Sequence, residues 1–574
     1  LHVRSRRQRQ MCIRDRIKSI LVSLLAVAAL ASCSDNGETT PGGGDEKSYD
    51  AAYMSISLSV PKASRTRAGS TETGALESET KINEVYLILF DENQKVVKDK
   101  DASTYYSILN SSHLSADGTS PLEPFKVSFA TKYLLVIANP GEKMKAHIAT
   151  KVVENATYTD INTVFSVAED ITADDNLYLI EEVARTTGPN AGYTMINAGE
   201  FDDSDPSSAN HKWKDDCLLD VSGSIIDASK YKTEAEAKAD AVKNRAQLQI
   251  ERLSAKMAVT LKGAAGVDIE VLPAGAKFAF AKWTIDYVNS QFFPFAKKTK
   301  LTSPHTPNEY KTNFYTVDPN FADPNHRTGI ILNQIEDYEP KVKWYDANEE
   351  NGVDEKDKKV AYSTENTMAA ADQKLGGATR LVLKANYVPS GYTMGQDWYQ
   401  SSLNGVYTNY ETLIKLQEAY GIAKALDEDK RDAAQKALVI SCEAFKTKLD
   451  GIYSAISAIA DFAALTQTDL DNLGITNGGE IAKGTGVRWF QKSLNYYYYE
   501  VRHDNGALGH MEYGKYGVVR NNYYTLRLTK VNGAGTPWYP EVEEPEEEID
   551  KEGAYLHFEI NVAPWISWAT DFEI

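Results

Sequence analysis

The stretch Asn495–Trp538, NYYYYEVRHDNGALGHMEYGKYGVVRNNYYTLRLTKVNGAGTPW, decides the fold class. It holds two runs rich in aromatic and β-branched residues, Tyr496–Arg502 and Asn522–Leu528, on either side of a Gly-rich connection. Such residues suit a pleated, half-buried surface. Thr525-Leu526-Arg527-Leu528-Thr529 alternates with period two, as a strand with one face on a core does. Read alone, the stretch is a β-hairpin or a longer strand pair.

Working outward, the same signal recurs. Lys81–Asp91 is an apolar strand running into a turn at Asp91-Glu92-Asn93, and Lys132–Pro140 is another, stopped by Asn139-Pro140. Tyr193–Asn197, Glu251–Val259, Trp283–Val288 and Thr379–Tyr387 also read as strands. Between Glu411 and Leu465 the period changes. Leu413, Leu416 and Tyr420, then Leu438, Phe445, Leu449, Ile452 and Ile456, recur at helical spacing. The spacing predicts two or three inserted helices, either a cap on a sheet or a partner surface. The acidic run Glu541–Asp550 reads as an extended linker. After it, Leu556, Phe558, Ile560 and Val562 share one apolar face, and the chain runs on through Trp565, Ile566 and Trp568 to Ile574.

Composition narrows the class. The 574 residues are 42% hydrophobic and 25% charged, ordinary for a globular chain and long enough for two or more domains. A formal net charge of -19 argues against nucleic acid and against attraction to anionic membranes. No HExxH, GxSxG or Walker-type motif is present, so no enzymatic activity, cofactor or metal is expected. Asp346, Asn348, Glu350 and Asp354 loosely resemble a calcium loop, but Gly352 sits one place late for an EF-hand. His503 and His510 flank a loop and read as surface or turn residues. Of four cysteines, Cys12 and Cys33 fall in the leader, and sequence cannot say whether Cys217 and Cys442 pair.

The leader is Ile17–Ala31, an apolar run behind Arg14, Arg16 and Lys18, with the charge and core of an export signal. Leu30-Ala31-Ser32-Cys33 has the form of a lipobox, in which Cys33 would be acylated; the alternative is an ordinary signal with an incidental cysteine. Ser34–Lys47 is polar and Gly-rich, as a lipoprotein tether is. Leu1–Asp15 does not resemble a signal's basic start and is set aside as an upstream artefact. Next, Met54, Ile56, Leu58 and Val60 alternate with serines, predicting a half-buried strand that Pro61 ends. Lys62–Gly74 is polar and suited to proteolysis.

These residues resemble the Mfa-type fimbrillins, the short (minor) fimbria branch of the major-subunit family of type V pili of Bacteroidales. The resemblance rests on Tyr-Tyr before Arg502-His503, on Gly517-Val518-Val519-Arg520-Asn521-Asn522-Tyr523-Tyr524, and on Asn532-Gly533-Ala534-Gly535. Glu251-Arg252-Leu253-Ser254-Ala255-Lys256 adds to it, as do the strands at Lys81, Lys132 and Tyr193. It implies a mainly β chain of two tandem, transthyretin-like β-sandwich domains, with the helical insertion in the C-terminal one. The expected divisions are a leader over 1–33, a tether and cleavable strand over 34–67, domains over 68–245 and 246–540 with the insert at about 411–465, and a linker and donor region over 541–574. It also implies cleavage by an Arg-specific surface protease between Arg67 and Ala68, with Arg65 the second choice. Without such a cut, the strand simply stays in its sheet.

The expected function is a structural pilin. It would be exported as an outer-membrane lipoprotein bearing palmitate and joined into a cell-surface fimbrium for adhesion by donor-strand exchange. Loss of Met54–Val60 would open a groove that a C-terminal strand of the next subunit fills. The donor is either Leu556–Val562 or the distal Trp565–Ile574, with Leu556–Val562 then the last strand of its own domain. Expected partners are further copies of the chain, anchor and tip subunits, the protease, and host or bacterial receptors. The alternatives are an accessory or tip adhesin and a non-polymerising, glycan-binding surface lipoprotein.

Overall fold

A strand whose residues are all apolar must be covered on both faces, and the N-terminal half is organised by that requirement. The computed structural model describes residues 50–59, 77–166 and most of 178–564; the larger gaps in the last range are 203–211, 262–268, 301–313, 322–329, 332–343, 348–358, 470–486, 504–508, 541–547 and 550–555. The elements that matter here are β1 (Ala52–Met54), β2 (Ile56–Ser59), the helical turn α1 (Glu77–Thr80), β3 (Glu84–Phe90), β4 (Phe125–Val127), β5 (Tyr133–Ala138), β6 (Met195–Asn197), β7 (Ile226–Asp227), the helix α2 (Glu234–Lys243) and β8 (Ala246–Arg252). The main sheet runs β2-β8-β6-β5-β3. Along β3, Val85, Leu87 and Leu89 enter one core, while Tyr86, Ile88 and Phe90 enter another on the opposite face. A small sheet, β7-β1-β4, supplies Ala52, Met54 and Val127 to the first core.

The C-terminal half contains β9 (Ala255–Thr260), β10 (Lys277–Asp286), β11 (Val360–Ser363), β12 (Arg380–Val388), helices α3 (Tyr410–Lys424) and α4 (Ala433–Ile452), β13 (Leu494–Glu500), β14 (Asn522–Val531) and β15 (Leu556–Pro564). One sheet runs β11-β9-β14-β15 and another β10-β12-β13. Met257, Leu526 and Leu528 from the first meet Leu381, Leu383, Tyr497 and Tyr499 from the second in one core. The chain is thus mainly β with several sheets. The helices arrive where the period change predicts them; Tyr420 and Cys442 are buried between them, and no disulfide joins Cys442 to Cys217.

Four local expectations are corrected. Tyr496–Arg502 and Asn522–Leu528 do not form a hairpin: β13 pairs with β12, whereas β14 pairs with β9 and β15. The connection crosses from one sheet to the other, so the two apolar faces meet across a core instead of lying side by side. Glu251–Val259 is not one strand either; it breaks at Leu253-Ser254, where β8 leaves the first sheet and β9 enters the second. His503 is buried, with Nδ1 2.9 Å from the Tyr524 hydroxyl, while His510 is exposed. The acidic linker is tied down at Ile549, which is buried beside Met368 and whose N–H donates to the Gln373 carbonyl.

Glu79 of α1 sits where the two halves meet. Its buried carboxylate accepts from Lys256 Nζ at 2.8 Å and from the Tyr362 hydroxyl at 2.7 Å, and its carbonyl accepts from Arg252 Nε at 2.9 Å. Lys256 and Glu79 are almost fully enclosed, at 3% and 0% exposed. Removing one member of a buried pair leaves an uncompensated charge, at a cost of about 3–5 kcal/mol. Glu79→Ala should therefore lower the unfolding free energy by about that amount, measured by urea denaturation; Lys256→Met combined with Glu79→Leu should recover most of it.

A second buried cluster lies at one register across β10, β12 and β13, where Asp286 faces Arg380 and Arg380 faces Glu500. Arg380 grips Asp286 with two nitrogens, Nε to Oδ1 at 2.9 Å and a terminal nitrogen to Oδ2 at 2.5 Å. Tyr539 donates to Asp286 and Arg380 donates to the Pro540 carbonyl, fixing the point from which the linker departs. Glu500 Oε1 has no hydrogen-bond partner among the described residues. Burial pushes its carboxyl up to about 7, outweighing the pull of Arg380. The folded state therefore holds a proton that the unfolded chain gives up. Stability attributable to this group falls as pH rises from the ordinary glutamate range to about 7 and is flat above. Glu500→Gln should stabilise the protein by up to about 3 kcal/mol at pH 8 and leave it unchanged near pH 4, read from melting temperatures across pH.

Candidate assembly groove

The first strand fills a groove in the N-terminal half. β1 is held on both sides, by β7 at Ala52 and Tyr53 and by β4 at Ala52, Tyr53 and Met54, both antiparallel. At Ser55 the strand turns from one sheet into the other. β2 then pairs in parallel with β8, Ile56 opposite Ala246 and Leu58 opposite Leu248. Its other edge meets one loop, where Leu58 N–H donates to the Thr119 carbonyl at 2.7 Å. That loop is shaped by Asp117, which accepts from Ser115 Oγ, Thr119 N and Thr119 Oγ1 and is drawn down to about 2 by those bonds. Gly118 lies in the left-handed region at φ 74°, and a Cβ there would fall 2.4 Å from the Ile82 carbonyl oxygen.

Met54, Ile56 and Leu58 share one core with Leu87, Val136 and Ile250. The expected released face is thus buried as a unit, except that Val60 lies outside the described residues. Three such side chains contribute roughly 5–9 kcal/mol of hydrophobic stabilisation, at about 1.5–3 each. The opposite face is the wet serine face that alternation predicts only at its far end, where Ser59 is exposed and Ser57 half-buried. Ser55 is fully buried; its hydroxyl accepts from Arg245 Nε at 3.2 Å and its carbonyl from Ala246 N–H. Tyr53 is buried too. Its ring packs on Ala228, Ala237 and Ala241, its hydroxyl donates to Glu234 Oε1 at 2.5 Å, and Lys238 Nζ lies 5.3 Å from the ring centroid.

Sequence reading missed Tyr53, Ser55, Arg245 and the helix α2 as parts of this site. One signal was available: Thr233 and Glu236 stand at capping-box spacing before an alanine-rich run, and both reciprocal hydrogen bonds form. Nothing local links that helix to Tyr53, 181 residues away.

The remaining expected site residues divide in two. Cys33, Arg65, Arg67, Ala68, Trp565, Ile566 and Trp568 lie outside the described residues. Leu556, Phe558, Ile560 and Val562 fall in β15, which runs antiparallel to β14 from Asn522 opposite Pro564 to Val531 opposite Leu556, with an irregularity between Leu528 and Lys530. Among the described residues no three His, Cys, Asp or Glu side chains converge on a metal position. What this geometry can do is hold an extended segment by ladder hydrogen bonds and alternate apolar side chains.

Residues 52–217, which include β1, β2 and β4 of this groove but not β7, α2 or β8, match the model of the major fimbrial subunit protein FimA. Residues 488–571 match that of the major fimbrial subunit protein type IV, fimbrillin, C-terminal. No curated protein matches the chain. Among solved structures, the FimA fimbrillin of Porphyromonas gingivalis is 13% identical, with a TM-score of 0.33 and coverage of 90% of this chain and 97% of that one. A protein described as a cell adhesion protein, from Parabacteroides distasonis, is 11% identical, with a TM-score of 0.36 and coverage of 90% and 96%. The tip fimbrial protein Mfa3 of Porphyromonas gingivalis, truncated at its C-terminus, is 10% identical, with a TM-score of 0.28 and coverage of 89% and 100%. The chain is thus similar to the fimbrillins over two separate segments, one carrying β1 to β6 and the other the strands that close the C-terminal sheets.

Proposed function

We propose that this fimbrial subunit is exported as a lipoprotein acylated on Cys33, cut between Arg67 and Ala68, and polymerised by strand exchange. Its similarity to the fimbrillins points to a structural component of a surface fimbrium, assembling with other fimbrial proteins, and not to an enzyme. The observation that carries the proposal is β1–β2: a short segment, followed in sequence by the largely polar stretch 60–76, whose alternate side chains fill a core otherwise built by distant strands. A cut in that stretch severs the segment from the domain it completes. Its departure would bare the edges of β4, β7 and β8 together with an apolar trough, which is what an incoming strand needs.

Of the two donor candidates, Trp565–Ile574 is the better supported. β15 already completes the sheet beside β14, and moving it to a neighbour would bare a ladder nine residues long. In the ten residues beyond Pro564, Ile566, Trp568, Phe572 and Ile574 stand at alternate positions of the sequence, with Thr570 between them. We further propose domains over 68–245 and 246–540, anchor and tip subunits and an Arg-specific protease as partners, and host or bacterial receptors as adhesion targets.

An Arg-specific protease acting on the leaderless chain should give a new N-terminus at Ala68 by N-terminal sequencing and filaments by electron microscopy. Arg67→Ala with Arg65→Ala should abolish both. Deletion of Trp565–Ile574 should abolish filaments and leave the cut intact. Cutting without filaments in the unaltered chain would favour an accessory or tip subunit, and no cut would favour a non-polymerising surface lipoprotein.

A further inference from the structure

The Tyr53 position differs from the rest of the groove. The apolar trough accepts aliphatic side chains without regard to hydrogen bonding, whereas Tyr53 points the other way, onto α2. There it is 2% exposed, and it meets three features at once: an apolar floor of Ala237 and Ala241, a carboxylate acceptor in Glu234, and a cation in Lys238 beside the ring. Lys238 is itself held 2.9 Å from Glu234, one helical turn away. Burial and the Glu234 carboxylate push the Tyr53 hydroxyl up to about 12, so it remains a donor at any physiological pH. A floor, an acceptor and a cation together select an aromatic ring that carries a hydrogen-bond donor.

We propose that α2 forms a subsite for an aromatic hydrogen-bond donor, filled by Tyr53 in the uncut chain and by Trp565 of a second copy in the polymer. This rests on the strand-exchange reading above. The register follows from alternation. Tyr53 immediately precedes the trough residues Met54, Ile56, Leu58 and Val60; Trp565 immediately precedes Ile566, Trp568, Thr570 and Phe572. Placing Ile566 at the Met54 position puts Trp565 over α2, with the donated strand running in the direction of the one it replaces. Tryptophan satisfies all three features, since its indole N–H is a donor only and its ring is the strongest partner for a cation. The remainder of the tail supplies apolar area; Trp565 supplies register, because a shift of one residue would turn the apolar face out of the trough and the indole away from Glu234.

The test uses the Arg-cut full-length chain and a fluorescent synthetic peptide of residues 565–574, with affinity read by anisotropy as the peptide displaces the native strand. Trp565→Ala in the peptide should weaken binding by at least about tenfold. Glu234→Gln in the protein should weaken the unmodified peptide by about tenfold. The peptide carrying Trp565→Phe should be indifferent to Glu234→Gln, since the donor that reads Glu234 is gone. Glu234 is at the surface, and an unchanged far-ultraviolet spectrum of Glu234→Gln guards against misfolding. If the unmodified peptide binds but neither substitution matters, the α2 subsite is refuted and strand exchange survives. If the peptide does not bind while Tyr53→Phe still destabilises the uncut chain, the exchange reading fails and the donor role of Trp565 with it.

Discussion

The buried carboxylate of Glu79 is the constraint on which the rest of the architecture depends. It takes a proton donor from β9 and another from β11, and its own backbone is held by an arginine of β8. Two sheet systems are thereby joined through one side chain on a single helical turn. A charge so enclosed is tolerated only with its partners in place, so the relative placement of β8, β9 and β11 is set by hydrogen-bond geometry as well as by apolar contact. The turn that carries Glu79 also begins just after the stretch between the first strand and the body of the chain. Downstream of that stretch the sheets are joined through the buried Glu79 carboxylate, whereas the segment Ala52–Ser59 upstream of it is held by ladder bonds, by side-chain burial and by the hydrogen bonds of Tyr53 to Glu234 and of Arg245 to Ser55.

That asymmetry gives the fold its functional character. The segment Ala52–Leu58 belongs to the hydrophobic core, since Met54, Ile56 and Leu58 are buried like the apolar residues of β3 and β5. Yet it is covalently continuous with the rest of the described fold only through the stretch 60–76, which is largely polar in sequence. A segment of this kind can be exchanged for another of the same alternation at little net change in buried area. On the strand-exchange proposal, the covalent bond after Arg67 would decide whether the exchange can begin. At the far end, β15 is integrated into its sheet along its whole length, and the linker before it is anchored at Tyr539, Pro540 and Ile549. The two ends of the chain are therefore unlike: one strand fills a trough, and the other closes a sheet.

The helical insertion and the buried titratable groups show how local and non-local signals differ. Leu413, Leu416 and Tyr420 announce α3 because a helix places residues three and four apart on one face whatever the surroundings. His503 and Glu500 announce nothing of their environment. Their positions after a run of tyrosines look exposed in sequence, and each is enclosed because a distant strand or turn folds over it: β14 over His503, and Arg380 with the Asp286 cluster beside Glu500.

Sequence alone determined that this chain is mainly β, where several of the longer strands lie, that helices interrupt the C-terminal half, and that Met54, Ile56 and Leu58 share a buried face. All of these follow from periodicity within a few residues, which the backbone geometry of strand and helix imposes locally. Tertiary structure alone decided which strands are neighbours. It turned the apparent hairpin of Tyr496–Leu528 into a crossing between sheets, split Glu251–Val259 at Leu253-Ser254, enclosed Ser55 with Arg245, and brought α2 to Tyr53 from 181 residues away. The reason is that pairing and enclosure depend on the free energy of contacts between remote segments, and alternation is the same whichever partner a strand finds.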